Sequence, residues 1–161
     1  MKKKHLPLIG VGPIYVVIIM LMTAAGICIS ELGLINSGKF TFLSIPLAVV
    51  GMLLIAYGLM LWIFANFHSR LGENIEKNNL ITTGVYAYVR NPVYSAFLML
   101  CTGLLLFEDN LWLLILPVIY WIYLTILMKY TEEKWLTKLY GNEYVEYCER
   151  VNRCIPFIPR K

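Results

Sequence analysis

The sequence predicts an all-α, polytopic membrane protein. It would have about four transmembrane helices, the last two a hairpin, and a C-terminal amphipathic helical segment on the cytoplasmic face. Three observations predict this. Charge is scarce: 15% of residues are charged and 59% are hydrophobic, against about 25% and about 45–50% in an ordinary globular domain. Charge is also segregated, with no Asp, Glu, Lys or Arg in residues 6–30, 40–67, 91–107 and 110–128. Finally, the basic residues sort to one side of those stretches.

A bilayer crossing takes about 20 apolar residues, which places spans at about 8–29, 42–67, 92–107 and 111–128 in a single membrane domain, residues 1–161. The first follows Lys2, Lys3 and Lys4 and has the outline of a signal peptide. Its apolar run is longer than a usual signal core, and Ile27 before Cys28 fits a lipoprotein cleavage site poorly, so a retained helix is expected. The second carries Gly51 and Gly58, seven residues apart, which permits close helix packing. The third opens at Asn91-Pro92, an N-cap residue followed by a proline suited to the first helical position. It is short, and the tight Glu108-Asp109-Asn110 turn joins it to the fourth. Pro117 lies inside that fourth span, either kinking it or sitting there as an ordinary tolerated membrane proline. Beyond it, TEEKWLTKLYGNEYVEYCERV reads as amphipathic helix interrupted by Gly141, a helix-ending glycine. Pro156 and Pro159 prevent further helix.

All of the 14 basic residues except Lys39 fall in the N-terminal tail, the 68–91 loop or the segment after span four. Cytoplasmic loops carry the excess Lys and Arg, so both termini and that loop are expected in the cytoplasm, and the setting is expected to be the plasma membrane of a prokaryote. The net charge of +4 is then a consequence of topology, and nucleic-acid binding has no support. Cys28, Cys101, Cys148 and Cys154 lack metal-site spacing and are expected reduced, so no metal is expected.

GVYAYVRNPVYS, residues 84–95, sets Tyr86, Tyr88, Tyr94 and Arg90 around the start of span three. A helix start offers free N–H groups and partial positive charge, and with Arg90 beside it forms an anion site. The alternative is an ordinary interfacial belt of tyrosines and arginine. Glu132 and Glu133 lie just past span four on the same membrane face, and Lys129, four residues before Glu133, is placed to pair with it. A helix folding back there brings carboxylates to the anion site, which suits a zwitterionic ligand. The alternative is a solvated helix with incidental acids.

LITTGVYAYVRNPVY followed by TEEKWLTKLYGNEYVEYCERVNRCIP resembles the isoprenylcysteine carboxyl methyltransferase and phospholipid methyltransferase group of integral-membrane enzymes. The shared pattern is T-G-x-Y-x-x-x-R-H-P-x-Y, a helical hairpin, an E-E pair, then G-x-E-Y-x-x-Y and a terminal I-P, over residues 80–156. The resemblance implies S-adenosylmethionine-dependent methyl transfer to an amphipathic or lipid-like acceptor at the cytoplasmic membrane boundary. It implies cofactor contacts from Tyr86, Arg90, Asn91, Pro92, Tyr94, Tyr144 and Tyr147. Glu132, Glu133 and Lys129 would be the catalytic candidates. Asn91 stands where many members carry His, and an amide cannot titrate. Lys129 stands where carboxylate-methylating members tend to carry Arg. YCERVNRCIP also resembles the ending of NADPH-dependent membrane sterol reductases, which have more spans. A non-enzymatic membrane scaffold is the third reading.

Overall fold

The computed structural model describes residues 10–39, 41–68 and 79–158. Lys2, Lys3, Lys4, Arg70, Lys77, Pro159, Arg160 and Lys161, which carry part of the expected orientation and chain ending, lie outside the described residues.

Uninterrupted apolar sequence satisfies its own backbone only as helix, and the described residues are helical with no strand. The helices are α1 (Gly12–Glu31), α2 (Ser44–Ile63), α3 (Pro92–Leu106), α4 (Ile115–Tyr130), α5 (Glu132–Tyr140) and α6 (Asn142–Arg150). Each of the first four carries its proline within the first turn, at Pro13, Pro46, Pro92 and Pro117. An N–H lost there was unpaired anyway. Pro117 thus falls in the first turn of its helix and not in its interior: residues Leu111–Leu114 form a 3₁₀ turn and the α-helix starts only at Ile115.

Among the described residues, three helical stretches are long and apolar enough to cross a membrane: Gly12–Glu31, Thr41–His68 and Leu111–Tyr140. The third expected span folds as the 15-residue α3, about 22 Å long at 1.5 Å per residue, short of the roughly 30 Å hydrocarbon layer.

Small residues set the packing. A Cβ at Gly51 would lie 2.8 Å from the Gly103 carbonyl oxygen, and one at Gly58 would lie 2.8 Å from that of Ala96. Backbone of α2 therefore lies directly on backbone of α3, as the Gly51/Gly58 spacing leads one to expect. Tyr15 and Ile19 of α1 bury against Cys101 and Leu105 of α3 and Tyr120, Leu124 and Met128 of α4. Thr23 links α1 to α4 through a 2.9 Å hydrogen bond with the Tyr120 hydroxyl. At one end, buried Asn110 donates to the Ile35 carbonyl at 3.1 Å and accepts from the Trp112 amide at 3.1 Å, tying the α1–α2 and α3–α4 connections together. The candidate residues gather at the other end.

Candidate functional site

Two chain segments far apart in sequence meet where α3 begins. Gly84, at φ 63°, turns the chain into a short 3₁₀ turn, Gly84–Ala87. The following strip lies along residues 152–157: the Arg90 amide donates to the Asn152 carbonyl at 2.9 Å, and the Phe157 amide to the Tyr88 carbonyl at 3.2 Å. Asn91 occupies the N-cap position of α3, but its side chain makes no capping bond. Its Nδ2 instead donates to the Arg153 carbonyl at 3.0 Å, and the Ser95 hydroxyl reaches the Cys154 carbonyl at 2.5 Å. Pro92 sits buried at the first helical position. The start of α3 is thus occupied by the chain's own later segment.

Glu133 is the charge centre of this junction. Its carboxylate receives a bidentate pair from Arg153, Nε at 2.6 Å and Nη2 at 2.9 Å, together with Arg90 Nη1 at 3.1 Å. Paired, fork-like guanidinium contacts are the strong kind of ion pair, and the hydrogen bonds to Glu133 raise the Arg153 pKa. The Arg90 side chain is 7% exposed and Glu133 15%, so screening is weak, while Arg153 at 24% is nearer solvent. Arg90 also donates to the Cys148 sulfur and approaches the Tyr144 hydroxyl at 3.5 Å. Its Nε is buried without a hydrogen-bond partner.

Tyrosines of α6 close one side. Tyr144 and Tyr147 bury with Val151, beside Leu80, Leu136 and Tyr140, while Glu143, Glu146 and Glu149 of the same helix stay exposed. The Tyr147 hydroxyl donates to the Tyr86 carbonyl at 2.5 Å. Burial raises the Tyr86, Tyr144 and Tyr147 hydroxyls above the usual tyrosine range, and Arg90 pulls the latter two partly back. These phenols are neutral at physiological pH. Burial likewise raises the Cys148 thiol and pushes Cys154 up to about 11.

The two adjacent acids separate. Thr131, at φ −123° and ψ −86°, breaks the helix between α4 and α5, and its hydroxyl turns back to the Leu127 carbonyl at 2.5 Å. Glu132 then faces away from the arginines. It accepts from the Tyr94 hydroxyl at 2.9 Å and lies against the backbone amides of Val11 and Gly12 at the start of α1. The same break removes the expected Lys129–Glu133 pair, because the two residues are not on one continuous helix. Lys129 is exposed, and Glu133 is held by arginines.

The structure therefore brings Tyr86, Arg90, Asn91, Pro92, Tyr144, Tyr147 and Glu133 into one junction, with Tyr94 and Glu132 beside it against α1. It leaves Lys129 outside. Arg153 and Cys148 were not singled out by the sequence. Arg153 enters the sequence reading only through topology, and no sequence spacing ties it to Glu133, 20 residues earlier. Among the described residues no group of three or more His, Cys, Asp or Glu is arranged to hold a metal ion.

The model of the phospholipid methyltransferase family matches residues 40–143. Protein-S-isoprenylcysteine O-methyltransferase B of Arabidopsis thaliana is 34% identical over 84 residues, which is 52% of this chain and 42% of that protein. The protein-S-isoprenylcysteine O-methyltransferase of Schizosaccharomyces pombe is 33% identical over 81 residues, 50% of this chain and 34% of that one. Its Saccharomyces cerevisiae counterpart is 36% identical over 80 residues, 49% and 33% respectively. This chain thus spans less than half the length of these relatives. No solved structure matches it. With well over half of its residues inside the family model, from the glycine-packed α2 through the Arg90–Glu133 junction to the start of α6, the chain belongs to the phospholipid methyltransferase family.

Proposed function

We propose that this chain transfers a methyl group from S-adenosylmethionine to a lipid-like acceptor at the membrane boundary. The observation that carries the reading is Arg90, deeply buried, ion-paired to Glu133 and holding an Nε–H with no acceptor. A buried donor left unpaired costs about 1–3 kcal/mol, a cost that an acceptor atom from a ligand would remove. The donor's amino-acid end carries an amine and a carboxylate, and the junction offers both a carboxylate, Glu133, and guanidiniums, Arg90 and Arg153. The residues fit the group.

In this reading Arg90 and Arg153 take the ligand carboxylate, Glu133 the amine, and Tyr86, Tyr144 and Tyr147 wall the pocket with neutral rings and hydroxyls. Asn91 and Pro92 hold the start of α3 in place. Bound there, the donor supplies a methyl group already activated on a sulfonium. The protein then contributes mainly alignment and exclusion of water, worth about 7–11 kcal/mol in favourable cases. The acceptor reaches the site from the bilayer. Four helices cross, α3 being the short one and forming a hairpin with α4. Both ends of the chain and the 68–91 loop face the cytoplasm, and α5 and α6 lie as an amphipathic segment on that face. The similarity to protein-S-isoprenylcysteine O-methyltransferases supports a lipidated acceptor.

Calorimetric titration of S-adenosylhomocysteine into the detergent-purified full chain tests this, with NADPH titrated alongside. Binding of S-adenosylhomocysteine is expected, weakened about tenfold or more in Arg90→Lys, the loss of a charge-assisted hydrogen bond. Folded protein that binds NADPH instead, or neither compound, refutes the reading.

A further inference from the structure

We infer that Glu132 is a positioning residue that fastens the start of α1 to the site, rather than a proton acceptor or a direct ligand of the cofactor's amine. This deepens the proposed function and rests on it for the role of Tyr94. Four contacts carry the inference. The Glu132 carboxylate lies against the backbone amides of Val11 and Gly12, which favour its charged form. These are among the first amides of a helix, which have no partner within the helix itself. Val11, in the N-cap position, has no side chain able to cap them, so a carboxylate from α5 does so, where the helix dipole favours negative charge. The same carboxylate accepts from the Tyr94 hydroxyl at 2.9 Å, and Tyr94 meets Tyr15, one turn into α1, edge to face at 6.0 Å between ring centres.

Glycines make the approach possible. A Cβ at Gly10 would strike the Glu132 carboxylate, and one at Gly12 would strike the Tyr94 ring. Glu132 is thus enclosed by α1 and Tyr94, while Glu133, the next residue, takes both arginines. The clasp also joins the family-matched segment, residues 40–143, to a helix outside it. Through it, α1 sets the place of Tyr94 and so one wall of the site.

Hydrogen–deuterium exchange and S-adenosylhomocysteine titration on the full chain, in wild type, Glu132→Gln and Glu132→Ala, test the clasp. A glutamine keeps an oxygen for the α1 amides and can donate to the Tyr94 oxygen, but it carries no charge. The expected result is slow exchange at Val11 and Gly12 in wild type and Glu132→Gln, lost in Glu132→Ala. S-adenosylhomocysteine affinity should stay within about threefold of wild type in Glu132→Gln and fall about tenfold in Glu132→Ala, as expected when lost hydrogen bonds act through Tyr94. Unchanged exchange in Glu132→Ala overturns the clasp. Intact protection with affinity lost equally in both variants shows instead that the charge holds the ligand directly. If wild type binds no S-adenosylhomocysteine, the proposed function fails, and the exchange data still decide whether the clasp exists.

Discussion

Replacing Glu133 by alanine removes the single carboxylate between two guanidiniums. Arg90, 7% exposed, and Arg153, 24% exposed, would then face each other with no counter-charge. Breaking a buried pair by removing one partner costs about 3–5 kcal/mol. Arg153 can turn partly to water, which favours the lower end, about 3 kcal/mol. For a chain of 161 residues, each kcal/mol moves Tm by about 2–4 °C, so a fall of roughly 6–12 °C is expected. Tryptophan fluorescence during heating in detergent at neutral pH measures it. A second substitution, Arg153→Met, separates charge from packing: on the Glu133→Ala background it should restore part of the loss by removing a like charge. A fall below about 2 °C, or a double variant no more stable than the single, would refute a charge-neutralising role.

Two further outcomes follow from packing and burial. Gly58→Leu should destabilise by about 1–3 kcal/mol or more, read by the same thermal scan, because its Cβ would meet the Ala96 carbonyl, a backbone group that cannot swing aside. Alkaline pH should destabilise the fold. Cys154 is raised from an ordinary value of 9.0 to about 11 by burial, so the folded state holds its proton more tightly than the unfolded chain. The stability it contributes is complete below about pH 9 and declines as pH rises toward 11, by up to about 3 kcal/mol. Tm measured from pH 8 to 10 should fall, with a shallower slope in Cys154→Ala.

The apolar helices were legible because the rule that governs them is local: a run without charge, its glycines and its first-turn prolines all act on neighbours in sequence. Asn91-Pro92 marks the start of α3 for the same reason. The pairings of the site were not legible. Arg153 meets Glu133, and Asn91 meets Arg153, only because the chain returns across α3, and no spacing rule encodes that return. Thr131 shows the limit well. A threonine within an otherwise helical pattern carries no strong stop signal, yet the break there sends Glu132 and Glu133 to different partners and separates Lys129 from both. The shortness of α3 was legible as well: the uncharged run 92–107 folds as Pro92–Leu106.

The strip formed by residues 88–91 against residues 152–157 bears on how the molecule is made. Its bonds join positions about 60 residues apart, and Asn152, Arg153 and Cys154 are synthesised after every described helix. The apolar helices can enter the bilayer as they emerge, since their backbone bonds are internal, but Arg90 waits for Glu133 and Arg153. During synthesis the start of α3 is therefore an unfinished, charged edge beside the membrane, and this junction closes only after residues 152–157 have been made.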